Sequence, residues 1–167
     1  MDKNIAIRKA DVGDIEQIKA ILYSTLKEYK IAIPDNYSVS DIDSIDAKNR
    51  SEQVFVLVRY AAVIGFIVLI PNAKDGVEFR RLYLTSLERG QKLGEYLLNY
   101  AINFAHLKHY KYIRLETTSK FKEAVSLYKK HGFVILEEVE TAPGQDVAFI
   151  KEFKFSSYIR RTRFARR

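Results

Sequence analysis

Apolar residues recur along this chain with two periods, and the switches between them mark out its elements. Ile5-Ala6-Ile7-Arg8 alternates as a short strand does. Asp11 has the chemistry of a helix cap, and Asp14 three residues later strengthens that start. Ile15, Ile18, Leu22 and Leu26 then keep helical spacing. From Tyr29 to Arg50 the pattern breaks around Pro34, Asn36 and Ser38, and the acidic run from Ser40 to Asp46 reads as a short second helix after a loop. Val54 to Val58 and Val63 to Ile70 are near-continuous apolar runs on either side of Arg59-Tyr60-Ala61-Ala62, which predicts an antiparallel hairpin. Pro71 to Gly76 is the next turn, and Val77 to Leu84 the next strand.

Leu93, Leu97, Tyr100, Ala101 and Phe104 give a third helix its apolar face, ending near His109. Tyr112 to Thr117 is a strand, and Lys122 to His131 a fourth helix closed by Gly132, the usual left-handed C-terminal cap. Phe133 to Leu136 and Val147 to Phe155 complete the strands across Pro143-Gly144. The order β-α-α-β-β-β-α-β-α-β-β has no internal repeat and predicts an α/β sheet of mixed direction. Its 167 residues, 47% of them hydrophobic, suit one domain with a substantial core. The boundaries expected are 1–155 for the domain and 156–167 for a basic tail.

Charge and cysteine usage narrow the function classes. Six of the positive charges fall in the last fourteen residues, so residues 1–153 carry only +1 of the +7 total. A mobile, solvated end is the plain reading of such a tail, with docking on RNA, a membrane surface or a second subunit left open by the interleaved Phe155, Tyr158, Ile159 and Phe164. Cysteine is absent, which excludes disulfides, zinc-thiolate sites and cysteine nucleophiles. The apolar runs are far below the roughly 20 residues that cross a bilayer, and the amino terminus lacks a secretory signal's apolar stretch. A cytoplasmic protein is expected.

The most informative stretch runs from Val77 to Gly94. A strand passes through a short turn into Arg89-Gly90-Gln91-Lys92-Leu93-Gly94, which opens a helix. Free N–H groups and the positive dipole end of a helix's first turn favour phosphate there, and a glycine lets an anion approach the main chain. A second motif follows at Ala124, Leu127, Tyr128, Gly132 and Phe133. Together and in this order, the two motifs resemble the GNAT superfamily of acyl-CoA-dependent N-acyltransferases over nearly the whole chain, from Ile5 to about Phe155. The resemblance implies a GNAT fold, with a mixed, mostly antiparallel central sheet of about seven strands flanked by about four helices. Two departures stand out: Lys92 occupies a glycine position of the first motif, and Phe121 a position where asparagine is common.

That resemblance implies a site with assigned parts. The main chain of Leu82, Tyr83 and Leu84 would pair with the pantetheine arm of acetyl-CoA and orient the thioester carbonyl. The amides of Gln91, Lys92, Leu93, Gly94 and Glu95 would hold the pyrophosphate, with Arg89 and Lys92 adding charge and Gly90 shaping the turn. Phe121 and Ala124 would lie beside the cofactor. Tyr128 matches the tyrosine next to the thioester sulfur and is the candidate general acid; the bland reading is a packed helix aromatic. Glu78 is the candidate base for the amine, or else an ion-pair partner of Arg80, Arg81 or Arg114. Strict alternation would put Glu78, Arg80, Leu82 and Leu84 on one face, with Glu78 and Leu82 roughly 13 Å apart unless a bulge intervenes. Glu116 faces the same choice between binding an amine and pairing with an arginine.

The activity implied is transfer of an acetyl group from acetyl-CoA directly to a primary amine of a small molecule. A protein N-terminal or lysine acetyltransferase is one alternative; a non-catalytic acyl-CoA sensor, or an RNA-associated module using the tail, is another. Asp35, Asp41, Asp43 and Asp46 offer an acidic wall for a cationic acceptor, or simply a solvated helix face. The Val139 to Asp146 loop is expected on the acceptor side. His106 and His109 lack further ligands at metal spacing, so no metal is predicted, and His131 complements the dipole of the fourth helix. A monomer or homodimer is expected, with Val147-Ala148-Phe149-Ile150 as a dimerising edge.

Overall fold

A computed structural model describes residues 4–33, 35, 37–46, 51–72, 75–137, 141 and 144–154. Strand β1 (Ile5–Lys9) leads to a 3₁₀ turn at Val12–Asp14 and helix α1 (Ile15–Glu28). Asp11 caps that turn: its Oδ1 accepts from Gly13 N at 2.9 Å, and Asp14 Oδ2 accepts from Asp11 N at 2.9 Å. Short helix α2 (Ser40–Asp43) precedes β2 (Gln53–Arg59), β3 (Ala62–Pro71) and β4 (Gly76–Leu84). A 3₁₀ turn at Ser86–Glu88, which periodicity gave no sign of, separates β4 from α3 (Leu93–Leu107). β5 (Tyr112–Thr117), α4 (Lys122–Lys130), β6 (Val134–Leu136) and β7 (Val147–Glu152) complete the order expected.

The seven strands form one sheet in the order β1-β2-β3-β4-β5-β7-β6, antiparallel throughout except for β4 and β5. Each face buries a core. Val54, Val56, Val58, Phe66 and Val68 meet Ile18 and Leu22 of α1 and Ile42 of α2. Phe55, Leu57, Ile67 and Leu69 meet Leu97, Leu98 and Ala101 of α3 and Tyr128 of α4 on the other side. Fully burying a side chain of this size contributes roughly 1.5–3 kcal/mol, so the two cores fix which way each helix faces.

Three expectations need correction. β7 lies between β5 and β6, so Val147–Ile150 is interior and not a dimerising edge; β1 and the three-residue β6 are the edges. The final strand stops at Glu152 and not at Phe155, and residues 155–167, the expected tail among them, lie outside the described residues. Alternation along β4 is broken as well. Phe66 pairs with Tyr83 but Val68 pairs with Arg80, so two β4 residues, Arg81 and Leu82, oppose the single Ile67. Glu78 and Arg80 therefore share their face with Tyr83, while Leu82 and Leu84 pack into the core on the α3 side. The extra residue flips the parity of everything after it, and Arg81 takes the left-handed φ of 57° that lets the bulge form.

Candidate active site

β4 and β5 pair only from Gly76–Tyr112 to Phe79–Leu115, after which β4 continues to Leu84 without β5. That divergence opens a cavity of about 630 Å³ between the strands, walled by Leu82, Leu84, Gly94, Leu98, Ala124 and Tyr128 and by a charged set further down the sheet. The strand end is held close to its neighbour. A Cβ on Gly65 would sit 2.9 Å from Tyr83 O and inside the Leu84 side chain, so only glycine permits this approach.

At the upper end, α3 begins with Lys92 in the left-handed region at φ 61°, and no side chain caps its first turn. Its first-turn N–H groups are thus left for a ligand. The left-handed backbone explains why glycine suits this position, and Lys92 is exposed. Gly90 (φ 76°) makes the preceding turn, with open space where a side chain would lie. Arg59, a hairpin residue the sequence did not single out, braces this loop from β2 through Glu88 at 2.8 Å and Gln91 at 3.4 Å. Arg89 is committed elsewhere than expected: it donates to Glu28 at 2.7 Å and to Leu84 O at 3.3 and 3.4 Å, and lies over the Tyr29 ring. Its guanidinium ties α1 to the end of β4. Glu95 bridges α3 to α4 through Lys130 at 2.8 Å and His131 at 3.3 Å, and Lys130 holds its carboxyl below the usual range. The other ring nitrogen of His131 lies 2.9 Å from Leu127 O, at the C-terminal end of α4 as expected.

In the middle, Tyr128 is the buried residue of α4, packed against Phe133 and Phe149 at centroid distances of 5.7 and 5.8 Å. Burial pushes its phenol well above the ordinary value of 10, with the neighbouring Tyr83 adding to the shift. Tyr83 is itself raised to about 12, chiefly by burial. Phe121, at the asparagine position, closes edge to face on Tyr29 (4.6 Å) and Tyr83 (5.9 Å). It replaces a polar contact by an aromatic wall.

At the lower end, the face that is apolar on β2 and β3 turns charged. Glu78 and Arg80 on β4 lie beside Arg114 and Glu116 on β5, and Glu78 is the register partner of Arg114. Arg80 donates to both Glu78 oxygens, at 2.6 and 3.1 Å, and Arg114 donates to Glu116 at 2.7 Å. All four line the cavity. Glu78 is therefore ion-paired as one of its sequence readings had it, and it also faces the cavity as the other required.

Two residues take parts that sequence reasoning did not foresee. Arg81 donates to Asp41 at 2.7 Å, to the Tyr37 hydroxyl at 2.6 Å and to Ser38 O at 2.7 Å, with side chains of Arg81 and Asp41 only 12% and 8% exposed. Two of the segment's carboxylates are thus engaged by cations: Asp41 is buried on Arg81, and Asp43 pairs with Lys19 at 2.5 Å, while Asp35 and Asp46 are exposed. Only the paired arginines in the strand hinted at it. Gln145, from the loop into β7, lines the cavity with a buried Oε1 that has no hydrogen-bond partner among the described residues. Nothing in its sequence context marks it. Among the described residues no cluster of three or more His, Cys, Asp or Glu could hold a metal, and no helix is long and apolar enough to cross a membrane.

A sheet parted between two parallel strands, with a helix N-terminus at one end of the gap and charged side chains at the other, is the architecture of an acyl-CoA-using transferase. The profile described as an acetyltransferase (GNAT) domain matches residues 50–135, and the chain belongs to that family. N-acetylaspartate synthetase of Xenopus tropicalis is 31% identical over 120 residues, covering 70% of this chain and 44% of that protein. An acetyltransferase of the GNAT family from Staphylococcus aureus Mu50 superposes with TM-score 0.81 at 19% identity, covering 90% of this chain and 99% of that one. The PaiA N-acetyltransferase of Thermoplasma acidophilum, in complex with coenzyme A, superposes with TM-score 0.72 at 24% identity, covering 89% and 99%. The chain spans 35% and 44% of the length of the first curated relatives it matches.

Proposed function

We propose that this protein transfers the acetyl group of acetyl-CoA directly to a primary amine of a small molecule. The observation that carries this reading is the single cavity joining the uncapped N-terminus of α3, the apolar slot at Leu82, Leu84 and Tyr128, and the charged floor at Glu78 and Arg114. Acetyl-CoA supplies an activated carbonyl as a thioester. First-turn amides of α3 and the Lys92 charge hold its pyrophosphate, and the end of β4 at Leu82 to Leu84, which β5 leaves unpaired on its side, holds its arm. Arg89, bound to Glu28 and Leu84 O, fixes the strand end and is a positioning residue. Glu78 receives the proton of the incoming ammonium, through a water where the distance requires one, and frees the nitrogen lone pair to attack the carbonyl carbon. Main-chain N–H groups of the β4 end stabilise the oxyanion. As the C–S bond breaks, Tyr128 donates its proton to the departing thiolate; the second proton that the nitrogen loses on becoming an amide restores the phenol, and Glu78 releases the net proton to solvent. A small acceptor is favoured because Arg81 clamps the segment from Tyr37 to Asp41 beside the charged floor, narrowing that end of the cavity. The absence of cysteine fits work in the reducing cytoplasm.

The test follows free thiol release from acetyl-CoA with small amines, amino acids and peptides in turn. Release with small amino compounds is expected. Release with peptides or proteins alone would replace the acceptor reading, and no release with any class would remove the enzymatic one.

A further inference from the structure

The floor of the cavity is a checkerboard of charge. Along β4 the order is Glu78 then Arg80, and along β5 it is Arg114 then Glu116. The parallel register sets Glu78 beside Arg114, so the neighbour of each charge along its strand has the opposite sign, and so does the neighbour of Glu78 across the strands. The surface has little net charge but strong local contrast. A polyamine would meet as many arginines as glutamates there, and a neutral amine would leave the arginines without a ligand. A zwitterion fits it.

We propose, resting on the amine-acetylating reading above, that the acceptor is a free α-amino acid, with its carboxylate bound by Arg114 and its ammonium by Glu78. Adjacent strands lie about 4.8 Å apart, so side chains rising from paired positions can grip the two ends of one small molecule. The nitrogen and carboxyl carbon of an α-amino acid are about 2.5 Å apart, from standard bond lengths and angle. Arg114 is a better carboxylate ligand than Arg80. Arg80 spends two nitrogens on Glu78, whereas Arg114 gives only Nη2 to Glu116 among the described residues, and its side chain is 34% exposed.

Initial rates with acetyl-CoA are to be compared across matched sets: aspartate, alanine and lysine, each beside its α-carboxamide and its decarboxylated amine. At least one free amino acid should show kcat/KM at least about tenfold above both of its carboxylate-free counterparts, since a charge-assisted bond to arginine is lost in them. Arg114→Leu should bring that ratio close to one, mainly through KM, and Arg114→Lys should restore part of it. Carboxylate-free amines used as well as every amino acid by the unaltered protein would overturn this inference and leave the amine reading standing. A preference that survives Arg114→Leu would overturn the assignment of Arg114. No thiol release from any compound would bring down the amine reading itself. The comparison of matched substrates on the unaltered protein decides the matter even where a variant fails to fold.

Discussion

Tyr128 and Lys92 carry the site's two sharpest residue-level consequences. The Tyr128 phenol is raised by burial among Phe133 and Phe149, so it stays protonated through and above neutral pH, as the proposed general acid must. Its hydroxyl makes no hydrogen bond with the described residues, so removing it should disturb the fold little. Tyr128→Phe is expected to lower kcat at least about tenfold, with acetyl-CoA affinity and the thermal midpoint nearly unchanged. Equal turnover would return Tyr128 to a packing role. Lys92 holds a left-handed backbone that costs a non-glycine residue about 1–2 kcal/mol, while adding a charge beside the α3 N-terminus. Lys92→Ala removes the charge and keeps the strain; Lys92→Gly removes both. Both should weaken acetyl-CoA binding a few-fold and flatten its salt dependence, and the glycine variant should melt above the alanine one. An alanine variant that melts higher would mean that the strain is absent.

Among elements, the β4 bulge organises the acceptor end. One extra residue turns Arg81 out of the ladder and aims it at Asp41, Tyr37 and Ser38, coupling the segment before α2 to the sheet. Arg81→Leu takes the guanidinium away from the buried Asp41 carboxylate and should cost about 3 kcal/mol, read by denaturant unfolding. It should also raise KM for the amine while acetyl-CoA affinity stays, because the clamp borders only the lower end of the cavity. Adding Asp41→Asn should recover part of the stability. No recovery would show that the lost stability came from packing and not from the lost ion pair. Arg89 plays the corresponding part at the upper end, joining Glu28 of α1 to Leu84 O.

For the whole molecule, the acid limb of stability has a named contributor. Arg8 donates to both oxygens of Asp14, at 2.6 and 2.8 Å, and holds that carboxyl below its ordinary 3.8 against the opposing effect of burial. The folded state therefore binds this proton less readily than the unfolded one. Its stabilisation is present above about pH 4 and is lost as pH falls through that value toward the folded pKa. Asp14→Asn should be less stable at neutral pH and should fall less steeply between about pH 5 and 3 in urea melts. The element order, the apolar runs of β2 and β3, the glycine-bearing turn before α3 and the place of Tyr128 on α4 were legible in the sequence because each rests on local spacing: period two or three to four, and short motifs within one or two turns of chain. The strand order that buries β7, the Arg81 clamp, the commitment of Arg89 to Glu28 and the buried, unpartnered Oε1 of Gln145 were not. Each depends on residues tens of positions apart, and on a single-residue bulge that reverses which side chains share a face. The sequence by itself determined that a helix opens beyond a strand through a glycine-bearing turn. Only the tertiary structure decided what that strand faces, because register, unlike periodicity, is set by the neighbouring strands.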